Sequence, residues 1–231
     1  MPITLIGLDA DDTLWHNETI FRDVHARFND LLADYAAPAE LEARLEAVET
    51  RNLALYGYGA KGFTLSMIEA ALETSEACVP AETLGRLLAL GREMMAHPVE
   101  PLPGVADALE VLAGHGRLVL ITKGDLFHQE AKLAGSGLGS HFSGVEIVSA
   151  KTPDTYAAIF RRHAVDSAAA LMAGNSVRSD VLPPLAAGAW AALVPYPLVW
   201  SHEAADAPAD HPRFRELASL ADLPGWIAEI G

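Results

Sequence analysis

Residues 3–14 are Ile3-Thr4-Leu5-Ile6-Gly7-Leu8-Asp9-Ala10-Asp11-Asp12-Thr13-Leu14. The short, apolar and partly β-branched start of this stretch predicts a buried strand over residues 3–9. Alternate residues of a strand point the same way, so Asp9 and Asp11, carried just past the strand end, can serve one reaction centre. One carboxylate can then attack as a nucleophile while the other acts as general acid and base.

After Gly104 short apolar strands alternate with helices. This alternation predicts a doubly wound α/β fold, a parallel sheet with helices on both faces. The predicted strands are 117–122, 145–149, 168–173 and 189–194, and the predicted helices are 105–113, 125–134, 153–164 and 179–187.

Residues 18–98 have a different, helical pattern, with leucines recurring at helical spacing. A glycine-rich break over 56–63 ends one helix before another begins near Thr64, and Pro80 suits the start of the next. Prolines at 98, 101 and 103 form a breaker cluster. We therefore expect a core domain of residues 1–17 and 99–231, with a helical domain of residues 18–98 inserted after the first strand.

The composition limits the classes of function. The chain has 231 residues and a formal net charge of −15, and such a surface disfavours nucleic acid as a partner. Cys78 is the single cysteine, which excludes an internal disulfide and fits a reducing compartment. With no signal peptide and no apolar membrane span in the sequence, a cytoplasmic protein without membrane attachment is expected.

Polar residues follow each predicted strand. Thr122 closes the second and precedes Lys123, Lys151 follows the third, and 174–180 follows the fourth. In a doubly wound sheet ligands bind beyond these carboxyl ends. The combination suggests phosphoryl transfer, with Mg²⁺ held by Asp9 and Asp180 and the remaining phosphate oxygens held by a lysine and a hydroxyl. Taken alone, Thr122 equally suits a helix N-cap, and Lys151 a solvated surface lysine.

Four motifs in this order resemble those of the haloacid dehalogenase-like superfamily, over residues 3–14 and 104–195. The resemblance implies that Asp9 is the nucleophile and that Asp11 is the general acid and base, its backbone carbonyl also binding the metal. It implies phosphate binding by Thr122 and Lys151, and metal binding by Asp180. It also implies that the insertion at 18–98 is the family's helical cap, which closes over the site and selects substrates.

The chain departs from the family pattern at two positions. Asp12 stands where the family usually has glycine, so its side chain either turns away or adds negative charge near the site. Asn175 stands where many members carry another aspartate. As a neutral oxygen donor, Asn175 is expected to be a weaker metal ligand or to lie behind the ligands, and magnesium affinity is expected to fall.

The glycine-rich break of the insertion has two interpretations. In one it contacts the substrate and Lys61 meets an anionic group, as Lys123 is expected to do in the core; in the other it is a loop with aromatic core anchors. Tyr56, Tyr58 and Phe63 either wall the pocket or anchor the loop. Residues 196–203 follow the last strand and are expected to border the site.

These observations favour a magnesium-dependent phosphatase that acts on a small phosphorylated metabolite through an aspartyl-phosphate. A 2-haloacid dehalogenase on the same fold is the alternative, but it needs no acid at the position of Asp11. A phosphate-binding protein without turnover is a third hypothesis, kept open by Asn175, and a phosphomutase is a fourth. The sequence leaves the substrate and the oligomeric state open.

Overall fold

The computed structural model describes residues 2–198 and 200–231; Met1 and Val199 lie outside the described residues. Within these residues the strands form one parallel sheet with the order β3-β2-β1-β4-β5-β6. The strands are β1 (Leu5–Leu8), β2 (Arg117–Lys123), β3 (Gly144–Val148), β4 (Ala170–Gly174), β5 (Trp190–Leu193) and β6 (Phe214–Glu216).

The helices fall into a first group before residue 98 and a second group interleaved with the strands. The first group is α1 (Glu18–Leu32), α2 (Pro38–Tyr56), α3 (Ala60–Thr74) and α4 (Ala81–Ala96). The second is α5 (Val105–Leu112), α6 (Leu126–Ser136), α7 (Pro153–Arg162), α8 (Leu182–Ala186) and α9 (Leu223–Ile230). No helix in the described part of the chain is both long and apolar enough to cross a membrane.

The chain divides into two compact units. Unit 1 contains residues 1–18, 99–123 and 129–231, and unit 2 contains residues 19–98 and 124–128. Unit 1 holds the whole sheet, because every strand falls within its ranges.

Both faces of the sheet in unit 1 are buried. Ile6 and Leu8 of β1 belong to one apolar cluster, which also contains residues of α5 and α9. Leu5 belongs to a second cluster, which contains Tyr156 and Phe160 of α7. Successive side chains of a strand point to opposite faces, so helices cover the sheet on both sides.

Unit 2 is helical and has an apolar core of its own. Its buried residues come from all four helices of the first group and include Phe28, Leu45, Met67 and Leu87. A side chain at Gly91 would place its Cβ 2.6 Å from Cγ2 of Thr64, so α3 and α4 cross closely because this residue is glycine.

The predicted fold class is confirmed, and the element bounds differ by a few residues. β1 is shorter than the predicted 3–9, and α3 begins at Ala60 rather than near Thr64. Strand β6 was not predicted. It has three residues, Phe214–Glu216, and its partly exposed side chains give no clear period.

Candidate active site

The predicted site residues of unit 1 follow neighbouring strands at one edge of the sheet. The register pairs Leu8 of β1 with Leu120 of β2 and with Ala173 of β4. Asp9 therefore continues β1 beside the ends of both neighbouring strands, and its N–H donates to the carbonyl of Ala173 at 3.0 Å. The parallel topology alone brings these strand ends together.

Lys151 lies between two carboxylates. Its Nζ atom forms an ion pair with Oδ1 of Asp9 and another with Oδ1 of Asp180, the second at 2.6 Å. The lysine side chain is 1% exposed, so the alternative of a solvated lysine is wrong. Three of the predicted site residues, from the ends of three strands, thus form one buried charge cluster.

The pKa values in this cluster reflect burial and charge together. Burial raises the pKa of Asp9, Lys151 lowers it, Asp180 raises it again, and the net result is a pKa of about 7. Burial alone would lower the pKa of Lys151, but Asp180 and Asp9 outweigh burial and raise it. Lys151 is therefore an ammonium throughout the ordinary pH range, whereas Asp9 takes up a proton near neutrality when nothing else compensates its charge.

The loop after β4 places Asp180 by close backbone contact. Residues Val177–Val181 form a single π-helical turn, a feature often found at functional sites. The N–H of Ser176 donates to Oδ2 of Asp180 at 3.1 Å. A Cβ at position 174 would lie 2.7 Å from Cβ of Asp180, so the carboxylate reaches its place only because Gly174 has no side chain.

Asn175 and Thr13 complete this edge of the cluster. Oγ1 of Thr13 lies 3.4 Å from Oδ2 of Asp9 and 3.4 Å from Oδ1 of Asn175. The hydroxyl has one proton, so it can donate to one of the two oxygens at a time. The other oxygen is then left without this donor, and for the buried Asp9 such a loss is costly because a buried polar atom needs a partner.

Three donors hold the second aspartate of the first motif. Oδ1 of Asp11 accepts hydrogen bonds from Nε1 of Trp15 and Nζ of Lys132, both at 2.7 Å. Oδ2 lies 3.2 Å from Nε2 of Gln129, which also lies 2.7 Å from Oγ1 of Thr122. Burial raises the pKa of Asp11, but the Lys132 charge and the three donors outweigh burial and lower it.

Thr122 is buried beside Gln129 and does not cap α6. Asp125 has that role, because its Oδ1 accepts from the N–H of His128 at 3.0 Å. The N-cap alternative for Thr122 is therefore wrong, and its hydroxyl stays with the polar residues at the strand ends.

Asp12, the first departure from the family pattern, caps a helix. Its backbone has φ +60°, the left-handed conformation that aspartate tolerates better than most residues and glycine adopts freely. Its carboxylate accepts from the N–H groups of Asn17 and Glu18, at the start of α1, at 2.9 and 3.0 Å. Burial raises the pKa of Asp12 to about 6 against these hydrogen bonds. Of the two expectations for Asp12, the turned-away side chain is the one found.

The two further lysines predicted to bind substrate both have acidic partners. Lys123 forms an ion pair with Glu203 and donates to Oγ of Ser179 at 2.9 Å. Lys61 belongs to unit 2, where its Nζ lies 2.8 Å from Oδ1 of Asp125, and its side chain is half exposed.

A family model described as haloacid dehalogenase-like hydrolase matches residues 3–188. The chain belongs to this family. A haloacid dehalogenase-like family hydrolase from Xanthomonas campestris is 42% identical to it, with a TM-score of 0.89, over 99% of this chain and 91% of that one. A search of curated proteins found no match.

More distant structures of the haloacid dehalogenase-like family differ in the reaction that their names give. A 2-haloacid dehalogenase from Pseudomonas syringae is 23% identical, with a TM-score of 0.66, over 99% of this chain and 100% of that one. A predicted phosphoglycolate phosphatase from Haemophilus somnus is 18% identical, with a TM-score of 0.62, over 97% of both chains. These two likenesses show the fold alone.

Haloacid dehalogenase-like hydrolases commonly use a divalent metal, and the donors at this site fit one. Asp9 and Asp180 supply carboxylate oxygens and Asn175 supplies an amide oxygen, the hard donors that Mg²⁺ prefers. Within residues 2–198 and 200–231 no group of three or more His, Cys, Asp and Glu side chains is arranged to hold a metal. The donors Asp9, Asp180 and Asn175 include only two side chains of these four types, because Asn175 is an asparagine.

The sequence analysis did not predict the residues that hold Asp11 and Lys123 in place. Gln129 and Lys132 are three apart on α6, a spacing that puts both on one helix face, and Trp15 follows Asp11 by four residues. The spacing of Gln129 and Lys132 predicts that they share a helix face, but the sequence does not indicate which face of α6 contacts the strand ends. Glu203 lies in the 196–203 stretch expected to border the site.

Proposed function

We propose that the protein is a magnesium-dependent phosphatase that hydrolyses a small phosphomonoester through an aspartyl-phosphate on Asp9. The observation that carries the proposal is the second carboxylate, Asp11, held by three donors beside Thr122. An alcohol leaving group needs a proton as it departs, whereas a departing halide does not, so an acid beside the nucleophile suits the phosphoester reaction.

In the first step a carboxylate oxygen of Asp9 attacks phosphorus. The bond between phosphorus and the ester oxygen breaks, and its electron pair goes to that oxygen, which takes a proton from the protonated form of Asp11. The products of this step are the aspartyl-phosphate and the free alcohol.

In the second step Asp11, now a carboxylate, takes a proton from water. The water oxygen attacks phosphorus, and the bond between phosphorus and Asp9 breaks, which returns the Asp9 carboxylate and releases inorganic phosphate. The donors around Asp11 lower its pKa, which favours the carboxylate needed in this step and disfavours the protonated form needed in the first.

Thr122 and Lys151 bind the phosphoryl oxygens in this proposal. The Lys151 ammonium already contacts Asp9, so it lies beside the carboxylate that attacks phosphorus and next to where a phosphoryl group would bind. Asp9, Asp180, Asn175 and the backbone carbonyl of Asp11 would hold the metal. A bound divalent ion would neutralise phosphate oxygens and so reduce their repulsion of the Asp9 carboxylate.

Unit 2 corresponds to the cap in this proposal, with residues 18–98 as the inserted domain and Lys61 as its contact with an anionic substrate group. Caps of this kind exclude bulk water during the reaction and select substrates. The independent apolar core of unit 2 supports a separate domain.

A 2-haloacid dehalogenase is the second candidate, and one observation favours it. The Lys151 ammonium forms ion pairs with both Asp9 and Asp180, so the chain itself supplies a cationic partner for the nucleophile. Asp9 would attack the halogen-bearing carbon, the halide would leave with its electron pair, and water would hydrolyse the resulting ester.

Hydrolysis of p-nitrophenyl phosphate, followed by a panel of small phosphomonoesters, tests the two candidates. The phosphatase proposal expects turnover with Mg²⁺, none with EDTA, none in Asp9→Asn, and a loss of about 10²–10⁴-fold in Asp11→Asn. Glu146→Gln, a partly buried and ion-paired glutamate on β3, is the control and keeps full activity. Chloride release from 2-chloropropionate that persists in EDTA, with no phosphate release across the panel, refutes the proposal.

Phosphate-ester binding without turnover across the same panel would also refute the proposal and support the non-catalytic alternative that Asn175 keeps open. Turnover that requires a phosphorylated activator would indicate a phosphomutase instead.

A further inference from the structure

One partly buried glutamate of unit 1, Glu203, accepts hydrogen bonds from the end of β2 and from the loop after β4. Glu203 ends a short 3₁₀ turn, Ser201–Glu203, that follows β5. One of its carboxylate oxygens accepts from Nζ of Lys123, at the end of β2. The other accepts from the hydroxyls of Ser176 and Ser179, in the loop after β4. Glu203 thus links the segment that follows β5 to the end of β2 and to the loop after β4.

The serines that Glu203 holds are neighbours of the proposed metal ligands. Ser176 directly follows Asn175, and Ser179 directly precedes Asp180. Within the loop, the N–H of Ser176 donates to Asp180, and the N–H of Ser179 donates to Oγ of Ser176 at 3.0 Å. A shift of either serine would therefore be transmitted to the asparagine or the aspartate.

The contact between the two loops has a second attachment. Nη1 of Arg178 donates to the backbone carbonyl of His202 at 3.0 Å. The loop after β5 therefore holds the loop after β4 through one charged side chain and one backbone oxygen. The two attachments lie at adjacent residues, so they fix both the position and the direction of the held loop.

The charge of Lys123 is compensated inside the same group. The side chains of Lys123 and Glu203 are 14% and 15% exposed, so each would be costly without the other. The Lys123 ammonium also donates to Oγ of Ser179 at 2.9 Å, which closes a ring with the glutamate. These bonds direct the lysine into the loops rather than towards a substrate.

We propose that Glu203 is a positioning residue that holds the 175–180 loop in its metal-binding shape and fixes Lys123 as part of this scaffold. The inference rests on the proposed function in one respect, namely that Asn175 and Asp180 are taken as metal ligands. Residues behind metal ligands commonly change metal affinity or activity by about 10–100-fold when they are replaced.

The test compares Glu203→Gln with Glu146→Gln in the full-length chain. Glutamine keeps the size of the side chain but removes the charge. Glu146 is a fitting control because its side chain is 17% exposed and paired with Arg162, far along the chain from the held loop. Three quantities are measured for each variant: hydrogen exchange of the 174–181 peptide without metal, the Mg²⁺ dependence of the melting temperature, and kcat and KM.

In Glu203→Gln, hydrogen exchange over 174–181 is expected to be faster than in wild type. The variant is expected to need about tenfold more Mg²⁺ for half of the thermal shift. Its kcat at limiting Mg²⁺ is expected to be lower, with a KM within about twofold of wild type. Glu146→Gln is expected to match wild type in all of these. Unchanged exchange and unchanged Mg²⁺ dependence in Glu203→Gln overturn the proposal. A rise in KM alone overturns it too, because that result assigns Lys123 to substrate binding.

A variant that keeps the ion pair covers the case in which Glu203→Gln does not fold. Ser179→Ala leaves Lys123 paired with Glu203 and leaves the Ser179 N–H bonded to Oγ of Ser176, but removes one hydroxyl donor to Glu203, and the same faster exchange and weaker Mg²⁺ response are expected. Exchange is measured without substrate, so it reports on Glu203 even if phosphatase activity is absent. Lack of turnover in the wild type with the expected exchange pattern refutes only the proposed function.

Discussion

Nζ of Lys132 lies 2.7 Å from Oδ1 of Asp11 and 2.8 Å from Oδ1 of Asn17. The ammonium is therefore fixed by two oxygens, and its charge acts on the carboxylate from a constant position. Against burial, which raises the pKa of Asp11, this ion pair is the largest of the interactions that lower it.

Lys132→Met is expected to raise the pKa of Asp11. The pKa of Asp11 is depressed in the folded state. The ionised Asp11 carboxylate therefore stabilises the fold at pH values above its pKa in the unfolded chain, and this stabilisation is lost as pH falls through the folded-state pKa. Without Lys132 the acidic limb of the kcat profile moves to higher pH. Lys132→Arg keeps the charge and should keep the limb in place. An unchanged limb in Lys132→Met would show that another group controls it.

Asp9→Asn is expected to stabilise the protein at high pH in the absence of metal. The folded-state pKa of Asp9 is raised to about 7, so the stability it contributes is present below its unfolded pKa and is lost as pH rises through the folded value. Asparagine does not titrate and escapes this loss. Melting temperatures in EDTA should differ between variant and wild type more at about pH 8 than at about pH 5. A pH-independent difference would contradict the raised pKa.

Asp12→Ala is expected to destabilise the protein more than Asp12→Gly. Alanine loses the cap on α1 and is strained at φ +60°, which together cost roughly 2 kcal/mol. Glycine also loses the side-chain cap but adopts this conformation freely, so its cost is roughly half or less. Urea unfolding measures both. Equal losses in the two variants would show that the left-handed backbone contributes nothing.

Asp12 also illustrates how much the sequence can determine. The order of short apolar strands and helices was sufficient for the parallel sheet, and the sheet was sufficient to bring Asp9, Lys151 and Asp180 to one edge. The direction of an individual side chain is decided by partners that lie elsewhere in the chain. Asp12 follows Asp11 directly, yet one carboxylate caps α1 and the other meets Gln129 and Lys132 of α6.

The same limit explains why the ion pair between Lys123 and Glu203 could not be predicted from the sequence. They are 80 positions apart, and they meet because β2 and the segment after β5 end at the same edge of the sheet. The pattern of each local segment carries no information about this pairing. The burial of Lys151 could not be predicted from the sequence either. A lysine is normally exposed, and this one is buried because Asp9 and Asp180 compensate its charge.

Gly174→Ala tests whether the close approach of Asp180 to the end of β4 matters for the reaction. The added Cβ would lie 2.7 Å from Cβ of Asp180, closer than carbon atoms can pack, so the carboxylate or the strand end must move. A displaced carboxylate loses its ion pair with Lys151, and we expect kcat/KM to fall by about 10²-fold. Gly225→Ala is the matched control, because a Cβ there meets no heavy atom within 4 Å. If Gly174→Ala retained wild-type kcat/KM and Mg²⁺ dependence, the close placement of Asp180 against the end of β4 would not matter for the reaction.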